Sequence, residues 1–206
     1  MEAADAAEPV GLELQYPPGS TPLDPDEREG LIPGHIETQG ELNAWEADNI
    51  LRGDEWAFRK KRSDLLTDSF VRQLHQRMFD DTWTWAGTYR KSGKNIGALP
   101  YEIPVRVRNA LEDTSYWVEH QTFPLDIIAV RLHHRLVAVH PFPNGNGRHT
   151  RMMADLLMSN HEKSRFSWGG GDLVETGQLR SQYIGALKAA DDGDIEPLLQ
   201  FARSDT

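Results

Sequence analysis

Twelve consecutive residues, His140-Pro141-Phe142-Pro143-Asn144-Gly145-Asn146-Gly147-Arg148-His149-Thr150-Arg151, bring a titratable base, a glycine-rich turn and two cations into one short stretch. Two prolines and two glycines forbid a continuous helix and allow a tight fold, with successive N–H groups turned toward one point. Such a turn cradles an anion. With Gly147 or Arg148 opening the next helix, unpaired N–H groups and the positive end of the helix dipole face the same point, and Arg148 and Arg151, three apart, share a face beside it. His140, at the other end, has the side chain whose ordinary pKa lies nearest neutrality and could take a proton from a nucleophile approaching a bound phosphate. Each residue alone has an ordinary explanation: an interhelical turn, a core histidine, solvated arginines. Together they form a complete set for phosphoryl or nucleotidyl transfer, in which catalysis is mainly positioning and charge stabilisation.

The flanking sequence supplies the elements that must hold this loop. Leu125 to Val139 is the most apolar segment, with Ile127, Ile128, Val130, Leu132, Leu136 and Val137 around it, as in a central buried helix that delivers His140. Met152, Met153, Leu156 and Leu157 predict a helix after the loop, ending near Ser159-Asn160. Upstream, helical spacing predicts a helix from Glu41 to about Lys60, broken or kinked at Gly53-Asp54, another beginning after an N-cap at Ser63, and a third from about Pro104 to His120. Trp83, Trp85 and Tyr89 read as packing aromatics at a bundle corner. Arg90 to Pro100 has no helical period and is punctuated by glycines, so it reads as a short hairpin or flap, able to pair with an extended peptide through its main chain. Downstream, Ser167 to Gly171 is a turn, Gln178 to Ala190 a helix, and Asp194 the N-cap of a last amphipathic helix. The sum is an all-α bundle with one small β-hairpin flap. The prolines and acidic residues at the start suit an extended arm, placed at residues 1–40 ahead of a catalytic domain at 41–206.

Composition narrows the partners. The 206 residues carry a formal net charge of -10, which argues against a nucleic-acid or anionic-membrane surface, so any nucleotide must be held locally. Cysteine is absent, which removes disulfides, thiolate nucleophiles and Cys-type zinc sites. Without a leader pattern or an apolar run long enough to span a bilayer, the expectation is a cytoplasmic protein. His133, His134 and His140 lack metal-site spacing, no Walker-type loop occurs, and Gly145-x-Gly147-x-x-Thr150 lacks the third glycine of a dinucleotide fingerprint.

The stretch from His140 to Arg151 resembles the signature of the Fic family (Fic/Doc superfamily), H-P-F-x-(D/E)-G-N-G-R-x-x-R, with one departure. The resemblance extends to Ala86-Gly87-Thr88-Tyr89-Arg90 and on to Pro100, similar to the family's flap entry, and to Arg180 through Asp194, similar to its C-terminal helix and acidic turn. Thr21-Pro22-Leu23-Asp24-Pro25 and Glu29-Gly30-Leu31-Ile32-Pro33 resemble the subgroup called mobile mystery protein B. The resemblance implies a Fic-like helical bundle and transfer of AMP from ATP, with magnesium, to a Ser, Thr or Tyr hydroxyl of a target protein. It implies that His140 is the base, that Phe142 anchors the loop, and that Gly145, Asn146 and Gly147 form a nest for the α- and β-phosphates. Arg148 and Arg151 would bind the β- and γ-phosphates, Gly97, Ala98 and Leu99 would cover the nucleotide and align the target backbone, and Tyr183 would line the adenine site or pack on its own helix.

Three departures shape what is expected. Asn144 stands where many relatives have an acid to hold magnesium, and a neutral oxygen is a weaker ligand for a hard cation. Asp191 stands where an adenylylating member often has Asn, which leaves adenine preference open. The self-inhibitory pattern [ST]-x-x-x-E-[GN] is missing, since Glu29-Gly30 has Pro25 four residues before the acid. The expectation is therefore that no internal glutamate pairs with Arg148 and that any restraint comes from a separate inhibitory protein. The leading reading is a bacterial protein adenylyltransferase. Transfer of UMP, another nucleotide fragment or phosphate, and a catalytically weak nucleotide-binding module, are the alternatives.

Overall fold

A computed structural model describes residues 22–171, 173 and 177–205. The elements run in the order α1 (Pro25–Arg28), α2 (Gln39–Phe58), α3 (Asp68–Phe79), a 3-10 turn (Pro100–Glu102), α4 (Ile103–Glu119), α5 (Leu125–Val139), α6 (Asn146–Asn160), α7 (Gln178–Asp191) and α8 (Glu196–Arg203). The all-α bundle expected from the periodicity is the fold observed. Helix α5 lies at its centre, packed by α4, α6 and α8, while α2 and α3 form a pair that leans on α6. Ile128, Ala129, Val130, Leu132, His133 and Leu136 of α5 are all buried, as expected of an element apolar on several sides. No described helix is long and apolar enough to cross a membrane.

Local chemistry explains where the elements begin and why one does not break. The Thr38 hydroxyl accepts the Glu41 N–H at 3.2 Å and the Glu41 carboxylate takes the Thr38 N–H at 3.0 Å, so reciprocal capping starts α2. The expected interruption at Gly53 does not occur. A Cβ there would lie 2.9 Å from the Arg77 carbonyl oxygen and 3.0 Å from Met78 Cα, so the glycine is present for close approach of α2 and α3, not for a bend. Helix α3 starts at Thr67 rather than Ser63, because the Thr67 hydroxyl accepts the Phe70 N–H at 3.2 Å.

Two further expectations are corrected. Residues 90–100 form no hairpin, and among the described residues the only β pairing is the isolated Leu31–Trp83 bridge. The flap instead pairs with the chain around the histidine: the Arg90 N–H donates to the Pro141 carbonyl at 2.9 Å and the Ala98 N–H to the Val139 carbonyl at 3.0 Å. Its main-chain partners are Val139, the last residue of α5, and Pro141 just beyond it, not a return strand of its own. The initial segment is also not simply extended. Residues 1–21, including Thr21 of the mobile mystery protein B resemblance, lie outside the described residues, but Pro25–Arg28 is helical and Leu23 and Ile36 are buried in the core.

Candidate active site

The loop between α5 and α6 is shaped by protein groups on every side. His140 caps α5 in the left-handed conformation, φ 52° and ψ 60°, while its N–H still donates to the Leu136 carbonyl at 3.1 Å. That reversal sends Phe142 into the core, where its ring stacks on His75 at 3.7 Å between centroids and meets His149 edge-on at 5.1 Å. The Asn146 side chain then closes the loop: its Oδ1 accepts the Phe142 N–H at 2.9 Å and its Nδ2 donates to the Phe142 carbonyl at 2.8 Å. His75 braces the turn from below. The Gly87 N–H donates to its Nδ1 at 3.0 Å, which leaves Nε2 as the donor to the Asn144 carbonyl, also at 3.0 Å. Gly145 has φ 76° and touches Phe79, where an added Cβ would lie 2.5 Å from Cζ; only glycine fits both demands.

His140 is 8 % exposed, and burial, with the nearby positive charges of Arg90 and Lys94, pulls its pKa down to about 4 against a backbone hydrogen bond at Val137 that raises it. At neutral pH the imidazole is therefore uncharged and able to accept a proton. Arg90, itself 3 % exposed, connects the flap to this residue: Nε donates to the His140 carbonyl at 2.6 Å, Nη1 to the Ser92 carbonyl at 2.7 Å and Nη2 to the Ala98 carbonyl at 2.5 Å. Gly97, at φ 95°, presses against the histidine so closely that a Cβ would lie 2.6 Å from His140 Cβ. Sequence reasoning did not single out Arg90, because one arginine in a glycine-punctuated loop looks like any solvated cation.

The cations stand on the first turns of α6. Arg148 Nη1 lies 2.7 Å from Glu46 Oε2, Nη2 lies 3.5 Å from Asn144 Oδ1, and the guanidinium sits 5.0 Å over the Phe79 ring. Glu46, on α2 and 4 % exposed, also accepts the Trp83 indole N–H at 2.7 Å through Oε1. The expectation that no internal glutamate pairs with Arg148 is thus overturned. The reason is geometric: Glu46 belongs to the buried face of α2, with Leu42, Asn49, Gly53 and Ala57, and a search for one short pattern passes over it because Leu42 stands four residues before it and Ala47 follows. Arg151 lies one turn on, its guanidinium 5.4 Å from the Tyr183 ring. Tyr183 is buried and its hydroxyl lies 3.0 Å from His133 Nε2. A third cation completes the cluster. Burial and the charges of Arg151 and Arg148 lower the pKa of Arg180, partly offset by Tyr183, and its Nη1 donates to the Leu173 carbonyl at 2.6 Å.

Residues 65–158, which contain the flap, the loop and the helices that hold them, match the model of the Fic/DOC family. The chain carries a Fic domain. It is 37% identical over 136 residues to the protein adenylyltransferase Fic of Drosophila mojavensis, covering 64% of this chain and 26% of that one. It is 27% identical over 158 residues to the protein adenylyltransferase fic-1 of Caenorhabditis elegans, covering 75% and 30%. The chain spans less than a third of the length of these curated relatives. Among solved structures, the N-terminal Fic domain of a Bartonella quintana cell filamentation protein superposes with a TM-score of 0.66 at 17% identity, over 86% of this chain and 91% of that one. Fic-1 from C. elegans gives 0.60 at 22%, over 84% and 50%. These likenesses establish the fold.

Within this Fic domain, the sequence-predicted site residues divide into two groups. His140, Gly145, Asn146, Gly147, Arg148 and Arg151 lie along one loop and the first turns of one helix, with Gly97 and Ala98 tied beside the histidine and Leu99 half exposed. Tyr183 borders the same helix start, since a Cβ on Gly147 would lie 3.8 Å from its hydroxyl. The Asn146 side chain, by contrast, is committed to Phe142, so only its main chain remains for a nest. Asp191 is drawn to the surface and lies 2.8 Å from His134 Nε2 through Oδ1.

Proposed function

We propose that this Fic domain is a protein adenylyltransferase, transferring AMP from ATP to a Ser, Thr or Tyr hydroxyl of a target protein and releasing pyrophosphate. The observation that carries the reading is the pairing of an uncharged, buried His140 with a cation-bearing helix start on the far side of one rigid loop. The adenylyltransferase names of its relatives support it. His140 takes the proton of the target hydroxyl as that oxygen bonds to the α-phosphorus. The bond from the α-phosphorus to the bridging oxygen breaks, and the charge gathering on pyrophosphate is met by Arg148, Arg151 and the N–H groups of the helix start. Gly97, Ala98 and Leu99 hold the target backbone beside the histidine, and Tyr183 stands at the nucleotide side.

The side-chain oxygens present fit a magnesium ion only when it is carried by the nucleotide. Among the described residues no three His, Asp or Glu side chains converge, and Asn144 Oδ1, a neutral oxygen, already accepts the Gly145 N–H at 2.5 Å. Magnesium held by the diphosphate and Asn144 would neutralise phosphate charge.

Glu46 occupies a guanidinium that a phosphate needs, so nucleotide binding competes with an internal carboxylate. This favours a restrained enzyme over a lapsed one. Intact-mass analysis of candidate targets incubated with ATP, magnesium and either the native chain or His140→Ala tests the reading. An AMP-sized addition lost in the variant is expected. An addition that persists in His140→Ala overturns the mechanism, and a UMP- or phosphate-sized addition changes the donor.

A further inference from the structure

Lys94 belongs to the flap, and beyond the charge it adds near His140 its ammonium is held by a different segment. Its side chain is 3 % exposed and its Nζ lies 2.5 Å from Glu27 Oε2, 2.9 Å from Asp24 Oδ2 and 3.2 Å from the Pro22 carbonyl, all in the segment before α2. Ser92, two residues earlier, donates to Glu27 Oε1 at 3.3 Å and hydrogen-bonds Asp24, which holds the Asp24 pKa below the usual carboxylate range together with Lys94. Glu27 Oε2 also takes the Asp24 N–H at 2.8 Å, so one carboxylate grips both the start of α1 and the flap.

The far end of this segment is fastened to the body of the protein. Leu23 is buried in the core, the Trp85 indole N–H donates to the Glu27 carbonyl at 2.8 Å, and the Ile32 and Thr84 N–H groups bond to the Thr82 and Gly30 carbonyls at 2.9 and 2.8 Å. Gly30 lies so close to Trp85 that a Cβ would stand 2.6 Å from its ring. The segment is a strap, anchored at the Trp83–Trp85 corner and closed on the flap through one nearly dry ammonium. A charge that dry is costly unless its partners stay, so strap and flap hold their positions together.

We propose that Lys94 is a positioning residue: through it, residues 22–28 hold Gly97–Leu99 against Val139–Pro141, and so set how tightly the protein acceptor docks without touching the nucleotide. The acceptor half of this proposal rests on the adenylyltransferase reading; the holding of the flap does not.

Amide hydrogen exchange and acceptor kinetics on the full chain test it, comparing the native protein with Lys94→Met, the double variant Asp24→Asn/Glu27→Gln, and all three changes combined. The Ala98 amide, bonded to Val139, should exchange about tenfold faster or more in Lys94→Met and in the double variant, with no further gain in the combination, because the groups act as one unit. The His140 amide, bonded to Leu136 in α5, should not change. KM for the acceptor should rise severalfold while ATP affinity stays within about twofold. Unchanged exchange at Ala98 overturns the proposal, as does acceleration of Ala98 and His140 together, which would make the strap a general stabiliser. Faster exchange with an unchanged acceptor KM overturns the positioning role. If the native chain transfers nothing, the adenylyltransferase reading fails on that count, and exchange at Ala98 still decides whether the strap holds the flap.

Discussion

Glu46 and Arg148 stand 102 residues apart in the sequence and 2.7 Å apart in the fold, with the Glu46 carboxylate shared between the guanidinium and the Trp83 indole. A charged hydrogen bond in so dry a place is strong, and a phosphate that needs Arg148 must displace it. Glu46→Gln keeps an oxygen for Trp83 and removes the competing charge. ATP should then bind about tenfold more tightly, a change of about 1.4 kcal/mol, as read by isothermal titration calorimetry. An unchanged or weaker affinity would mean that the carboxylate does not compete. Glu46→Ala, which also strands the Trp83 N–H, should in addition lose roughly 1–3 kcal/mol of stability.

The depressed pKa of His140 predicts an acid-tolerant base. An ordinary imidazole is largely protonated at pH 5.5, whereas a group at about 4 stays free to accept a proton. Initial transfer rates corrected for folded fraction should therefore hold from pH 7 down to about 5 and fall below that. A midpoint near 6.5 would show that the site does not keep His140 uncharged. His140→Ala should lower the rate by about a hundredfold or more at every pH.

Asn146 carries a structural role that its place in the Fic-family signature conceals. Both ends of its amide serve the Phe142 main chain inside the protein, and two buried main-chain groups lose their partners in Asn146→Ala. The unfolding free energy from urea titration should fall by about 2–4 kcal/mol. Asn146→Asp keeps the acceptor but sets a buried carboxylate oxygen against the Phe142 carbonyl, so at neutral pH it should be destabilised as well, and recover in part once acid protonates the carboxyl. Equal stability of all three would remove the staple from the account.

Buried histidines should make the fold sensitive to acid. Burial pushes His149 from 6.5 down to about 4, and His75 and His133 well below their ordinary value. Their folded pKa values lie below the unfolded ones, so as pH drops under about 6.5 the unfolded chain binds protons that the folded chain refuses, and stability falls until the folded groups titrate. For His149 alone the loss approaches roughly 3 kcal/mol by pH 4. Asp155 acts in the opposite sense: burial raises it to about 6, so its protonation below that pH favours the folded state. With four such histidines, His140 included, against one carboxyl, the urea midpoint should decline steadily from pH 7 to 5. A flat profile would contradict the burial assigned to these rings.

What could be read in the sequence followed from periodicity and a dense motif. The bounds of Leu125–Val139 are legible because an apolar segment between Pro124 and Pro141 has few other options, and His140 to Arg151 stands out as a candidate site because base, turn and cations are adjacent. What could not be read depends on contacts between distant segments. Glu46 is one acid among many on α2 until α2 packs beside α6, and Arg90 looks solvated until its guanidinium is seen buried among three carbonyls. Gly53 gave a false signal for a related reason: in sequence a helix-breaking glycine and one that admits a neighbouring helix are the same letter. The expected hairpin failed because the flap's main-chain partners come from residues 139–141 and not from its own return strand.

The staple at Asn146 has a thermodynamic consequence for ligand recognition. Asn146, His75 and Arg90 fix the loop through hydrogen bonds wholly within the protein, so the N–H groups of the helix start are ordered by folding and not by a ligand. An incoming phosphate would meet donors whose conformational entropy has already been surrendered, and the freedom lost on binding would be mainly that of the nucleotide and of the arginine side chains that close on it.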